Sequence, residues 1–189
     1  MDIAAWMLQI IIFILPAYFA NSVPVLLGGG MPIDGGRKLG DRQRLFGDGK
    51  TVRGFFAGVA AGAAVGALEG IFLPGTAWDI YAAAGGIGLP AGLGAGAAYA
   101  LAGLLLGCGA MAGDLLGSFI KRRQGLSRGK PSLVMDQLLF LLVALLFSYP
   151  LAAPMLTWQA ILFLCVLTYF VHVGANVAAN RLGLKKVPW

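Results

Sequence analysis

The chain has 189 residues, 59% of them hydrophobic and only 12% charged, with a mean hydropathy of +0.82. Water-soluble domains carry about 25% charged residues, so the composition excludes an ordinary soluble domain and predicts an all-α integral membrane protein. The formal charge of +6 is confined to segments between apolar runs, which argues against a nucleic-acid-binding face.

A membrane-crossing helix needs about 20 mostly apolar residues. Five spans are expected, near 3–22, 54–73, 90–120, 134–153 and 158–179, in one membrane-embedded domain covering 1–189. The first apolar stretch follows Asp2 rather than a basic region and reads as a retained helix, not a cleaved leader. Pro16 permits a kink in it. Asn21-Ser22-Val23-Pro24 is expected to break the helix, because the residue before proline resists helical geometry. Backbone groups freed there would suit recognition of a base edge.

The loop expected over 24–53 interleaves Arg37, Lys38, Arg42, Arg44, Lys50 and Arg53 with glycines and acidic residues. A purely lipid-attracting basic patch lacks the acids, and the glycines suggest a tightly folded backbone. Gly47-Asp48-Gly49-Lys50-Thr51 imitates a phosphate-binding P-loop. However, Arg44 stands where that motif needs glycine, and no strand precedes it. What survives is a set of glycine amides with Lys50 and Arg53 able to hold phosphate oxygens.

The second span carries Glu69 near its far end. The uncharged stretch 80–113 is too long for one upright helix, so its glycine-rich start is expected to be a tilted extension or an outer loop. Cys108 in this stretch and Cys165 in the last span read as buried reduced thiols.

At the end of the third span, Asp114 and Ser118 lie four residues apart and share a helix face, with Lys121 and Arg122 further along it. An ionisable group at membrane depth is a functional candidate. The loop expected over 121–133 adds Arg123, Arg128 and Lys130, and Asp136 then opens the fourth span. Asp114 and Asp136 thus flank one short loop on the same membrane side. Two carboxylates beside several cations suit Mg²⁺, which takes hard oxygen ligands and bridges phosphates. His172, Asn176 and Asn180 form a polar stripe on the fifth span, explained either by interhelical hydrogen bonds or, at Asn176, by base or ribose recognition.

The tail adds Arg181, Lys185 and Lys186. Together with the two basic loops it holds every Lys and Arg. The positive-inside rule then puts the N-terminus outside and the C-terminus in the cytoplasm, as for a multi-pass cell-membrane protein with its site facing the cytoplasm. Two other classes fit the pattern less well. A small transporter tends to show internal repeats and midplane polar groups, and a CDP-alcohol phosphatidyltransferase needs a repeated Asp motif; neither pattern is present.

Gly113-Asp114, Ser118-x-x-Lys121-Arg122 and Asp136 together resemble the signature of the CDP-diacylglycerol synthase superfamily of membrane cytidylyltransferases. Asn21-Ser22-Val23-Pro24, Pro32-Ile33-Asp34, Leu45 to Gly54 and the ending Leu182 to Trp189 are similar to its archaeal branch, the CDP-archaeol synthase family. Ser127-Arg128 replaces the Lys-Asp pair of bacterial relatives, and their His-Gly-Gly is absent, which argues against a bacterial-type diacyl substrate. The resemblance implies transfer of a cytidylyl group from CTP to an unsaturated isoprenoid ether-lipid phosphate within the lipid bilayer, releasing pyrophosphate. It implies Mg²⁺ on Asp114 and Asp136, and catalytic roles for these with Lys121 and Arg122. It places Asn21, Val23, Pro24, Lys50, Thr51, Arg53, Ser118 and Asn176 around the nucleotide. The oligomeric state stays open.

Overall fold

The computed structural model describes residues 2–84, 92–126, 132 and 135–183, with the side chain of Asp136 outside that set. Among them the chain forms six helices: α1 (Ile3–Leu27), α2 (Val52–Phe72), the single turn α3 (Ile80–Ala83), α4 (Ala95–Arg123), α5 (Met135–Ala152) and α6 (Trp158–Arg181). Four of them, α1, α2, α4 and α6, are long and apolar enough to cross a membrane, and α5 is a shorter apolar helix. Large apolar side chains such as Ile71 and Phe170 point outward, 71% and 67% exposed. Such an outer surface is stable only against lipid.

The bundle is built around α4, which packs against α1, α2 and α5. Lipid supplies no hydrophobic drive between helices, so close backbone contact must supply dispersion energy instead. Glycine spacing provides it. Gly58, Gly62, Gly66 and Gly70 recur every fourth residue on α2, forming one stripe. A side chain at Gly66 would stand 2.5 Å from the Gly103 Cα and 2.7 Å from the Tyr99 carbonyl oxygen. On its other side α4 presents Gly109 and Gly113, where an added Cβ would meet the α carbons of Ala144 and Phe140 at 2.6 Å. Gly66→Leu should therefore overpack the α2–α4 seam by about 1–3 kcal/mol or more. The expected result is a thermal unfolding midpoint in detergent lowered by about 5–10 °C. Gly174 on α6 has nothing within 4 Å, so Gly174→Leu should leave the midpoint in place; equal losses would rule out the seam.

These contacts also set direction. Moving four residues along α4, from Gly109 to Gly113, moves the partner four residues back on α5, from Ala144 to Phe140. The next step sets Gly117 against the Leu139 side chain and the Met135 carbonyl, so position 136, in the first turn of α5, lies at the end of the bundle where Asp114 lies. At the opposite end Asp2 caps α1 and Asp79 caps α3, accepting from the amides of Tyr81 and Ala82. Tyr99 Oη donates to Asp79 across 3.3 Å. Glu69 is buried near that same end, and its Oε1 has no partner among the described residues.

The first helix corrects one expectation. Asn21-Ser22-Val23-Pro24 does not break it: α1 runs on to Leu27, and the Pro24 carbonyl accepts from the Gly28 amide at 2.9 Å. A proline costs a helix the hydrogen bond to the carbonyl four residues earlier. Here that carbonyl belongs to Ala20 and is turned to Gly58 on α2, where a side chain would come within 2.7 Å of it. The missing side chain makes the room. Cys108 and Cys165 are free thiols, half-buried rather than buried. Of the uncharged stretch 80–113, the described parts are α3 and α4, while 85–91 lies outside the described residues.

Candidate active site

The segment between α1 and α2 folds back on itself through two isolated antiparallel bridges, Pro32 with Thr51 and Lys38 with Arg44. Its centre is Asp34, whose side chain is fully buried. One carboxylate oxygen accepts from the Gly36 amide and from Arg44 Nη2 at 2.5 Å. The other accepts from Arg44 Nε and from the amides of Phe46 and Gly47. A buried charge is tolerated only when it is paired and hydrogen-bonded throughout, and Asp34 meets that condition. Arg44, followed by the three backbone amides, holds its carboxyl well below the usual carboxylate range. Gly36 and Gly47 adopt φ of 86° and 95°, conformations natural to glycine that aim their amides inward.

This folded segment is fastened to the end of α4 by Arg123. The guanidinium bonds Asp41 at 2.8 Å and the Arg44 carbonyl at 2.5 Å, and lies 5.2 Å over the Phe119 ring. Phe46 packs on the same ring at 6.5 Å between centroids. Sequence reading gave Arg123 no role beyond loop charge; its only sign was its place as third in a run of cations at a helix end.

The fastening delivers Lys50 to Asp114. The Nζ lies 2.6 Å from both Asp114 carboxylate oxygens, with the side chains 27% and 33% exposed. Lys50 and Asp114 are thus brought together at the end of α4 that carries Lys121, Arg122 and Arg123. Thr51, the next residue, caps α2: its hydroxyl oxygen accepts from the Gly54 and Gly29 amides at 3.1 and 3.2 Å. Thr51 therefore shapes the site's backbone first. Arg53 donates to the Gly28 carbonyl, tying the start of α2 to the end of α1.

The other expected residues divide. Ser118 is buried on α4 one turn beyond Asp114. Lys121 and Arg122 are half-buried in the last turn of α4, and Arg122 Nε is buried without a hydrogen-bond partner among the described residues. Asn21, Val23 and Pro24 lie in the last turns of α1 as half-buried helix residues, not as an unwound segment. Asn176 lies on α6, which packs on α5 and α1. One turn before it His172 stacks on Phe140, 4.9 Å between ring centroids, a packing role. Ser127, Arg128, Lys130 and the tail beyond Gly183 lie outside the described residues.

Among the described residues no group of three or more His, Cys, Asp or Glu gathers. Asp114 already offers both oxygens to one cation, and Mg²⁺ commonly takes only one or two protein carboxylates. The donor set fits a hard, water-rich ion.

Helices of membrane-spanning length, with a carboxylate, an ammonium and a run of cations at one end, define a multi-pass membrane protein with a polar site at one membrane face. The family model of CarS-like CDP-archaeol synthases matches residues 3–189, and the chain belongs to that family. A CDP-archaeol synthase of Thermococcus onnurineus is 50% identical over 177 residues, covering 94% of both chains. One of Methanococcus aeolicus is 40% identical over 189 residues and the whole of each chain. A solved structure described as an intramembrane enzyme for archaeal membrane lipids biosynthesis is 38% identical with a TM-score of 0.71, covering 90% of this chain and 94% of that one.

Proposed function

We propose that this chain transfers a cytidylyl group from CTP to an isoprenoid ether-lipid phosphate, giving a CDP-activated lipid and pyrophosphate for membrane lipid synthesis. Family membership supports the reaction class. The observation that carries the site is the Lys50–Asp114 pair, held where cations converge at one end of a membrane bundle. The positive-inside rule supports a cytoplasmic position for that end, where CTP is available.

The reaction is an in-line displacement. A lipid phosphate oxygen forms a bond to the α-phosphorus of CTP, and the bond from that phosphorus to the oxygen bridging α and β breaks, its electrons leaving with pyrophosphate. The nucleophile is already anionic at neutral pH, so no general base is needed. Asp114, with Asp136 from the first turn of α5, would hold Mg²⁺. Held there, it would supply electrostatic stabilisation of the charge that develops on the phosphate oxygens. Before substrate arrives, Lys50 holds the Asp114 carboxylate in place. Its flexible stem then lets the ammonium move to a phosphate oxygen. Arg122, whose buried Nε has no hydrogen-bond partner among the described residues, and Lys121 neutralise the triphosphate. Asn21, Val23, Pro24, Thr51, Arg53, Ser118 and Asn176 are assigned to the nucleotide's surroundings, with Thr51 and Arg53 acting through the backbone they hold.

The test is purified protein in lipid nanodiscs, given labelled CTP, Mg²⁺ and a geranylgeranyl ether-lipid phosphate. CDP-lipid and pyrophosphate should form one for one. Release of CMP and pyrophosphate without CDP-lipid would refute the transfer. Lys50→Ala should raise the KM for CTP about tenfold to a hundredfold, as expected for loss of a charge-assisted hydrogen bond of about 1.5–3 kcal/mol. An unchanged KM would remove the loop from the nucleotide site.

A further inference from the structure

Beside the Lys50–Asp114 pair lies a cleft of about 180 Å³, lined by Ile33, Val52, Phe55, Phe56 and Leu115. Every lining side chain is apolar, yet the cleft adjoins the most charged part of the molecule. Val52 follows Lys50 and Thr51 in the chain, and Leu115 follows Asp114. Ile33 is tied to the same place, its amide donating to the Lys50 carbonyl at 2.8 Å. Successive residues on a helix point about 100° apart, so the groove at Leu115 opens beside the carboxylate rather than beneath it. Phe56, 65% exposed, forms the outer lip where the bundle meets lipid.

An occupant must match both halves: an anion for Lys50 and the neighbouring cations, and apolar chain for the cleft. A free nucleotide meets only the first condition and a bulk lipid chain only the second. We infer that this cleft seats the head-proximal stretch of one isoprenoid chain of the lipid phosphate, and that Phe55 and Leu115 set how bulky that stretch can be. The inference rests on the cytidylyl-transfer reading and adds to it the chain-recognising surface. Seating the chain there would bring the phosphate alongside Lys50 while the rest of the lipid stays in the bilayer.

The test compares a geranylgeranyl ether-lipid phosphate with an analogue of equal chain length whose ether chains are unbranched, using the full chain in nanodiscs. Leu115→Trp narrows the cleft and should lower the ratio of kcat/KM, branched chain over unbranched, at least tenfold. Phe55→Ala widens it and should shift the ratio toward lipid phosphates with bulkier head-proximal branches. Leu116→Trp, one residue on and facing outward (43% exposed), is the control and should leave the ratio within twofold. If Leu115→Trp and Phe55→Ala both keep the wild-type ratio, or Leu116→Trp shifts it as much, the cleft has no part in chain recognition even though transfer proceeds. If wild-type protein makes CDP-lipid from neither substrate, the underlying reading fails instead.

Discussion

Replacing Asp114 by Asn is expected to cut CDP-lipid formation by about a hundredfold or more, the scale of losing a group that stabilises developing charge. Asparagine keeps the size of the side chain and removes the charge that holds Lys50 across 2.6 Å and that a divalent ion requires. Asp136→Asn should act in the same direction, since the register of α4 and α5 brings that position to the same end of the bundle. The unfolding midpoint should stay close to wild type, because the bundle is held by glycine seams elsewhere. Full activity in both variants would show that neither carboxylate serves the reaction.

Asp34→Ala should cost more structure than any other change in the loop. Alanine there takes away the buried carboxylate that Arg44 spans with Nε and Nη2, leaving the guanidinium to Asp48 at the surface. Here the amides of Gly36, Phe46 and Gly47 lose their acceptor as well. The segment between α1 and α2 should open, freeing the backbone at Arg37, Lys38 and Arg42, whose side chains are already exposed, to enter the trypsin cleft, and carrying Lys50 away from Asp114. Activity then falls although no group proposed to touch substrate has changed. The pH dependence follows in sign. A carboxyl depressed in the folded state contributes stability that is fully present above its unfolded pKa of about 3.9, and loses it as pH falls through the lower folded value. Protection of the loop from trypsin should therefore hold from pH 8 down to about 5, the lower end of trypsin's useful range, in wild type and be absent across that range in the variant. A variant as resistant as wild type would remove Asp34 as the organiser.

The spans were legible because about 20 apolar residues in a row have few alternatives to a membrane helix. Lys50 and Asp114 were each legible as chemistry. Their direct pairing was not, since they are 64 residues apart and meet through a loop that Asp34 folds and Arg123 fastens to α4. Asp34 was visible only as part of a family motif. Its physical sign, an Asp before two glycines with an Arg ten residues on, says little until the segment folds around it. The end of α1 was misread for a related reason. Pro24 is a breaker locally, and the compensation lies on another helix, at Gly58. The four-residue spacing of glycine on α2 becomes a seam only when α4 lies against it.

The central claim is that Asp114 and Asp136 join one divalent ion to the phosphates of CTP at the basic end of the bundle. Electron–nuclear double resonance with Mn²⁺ in place of Mg²⁺ reads this directly. With CTP bound, the metal should show coupling to phosphorus in wild-type protein, and both the bound metal and that coupling should be lost in Asp114→Asn and Asp136→Asn. Phosphorus coupling that survives unchanged in both variants would contradict the claim.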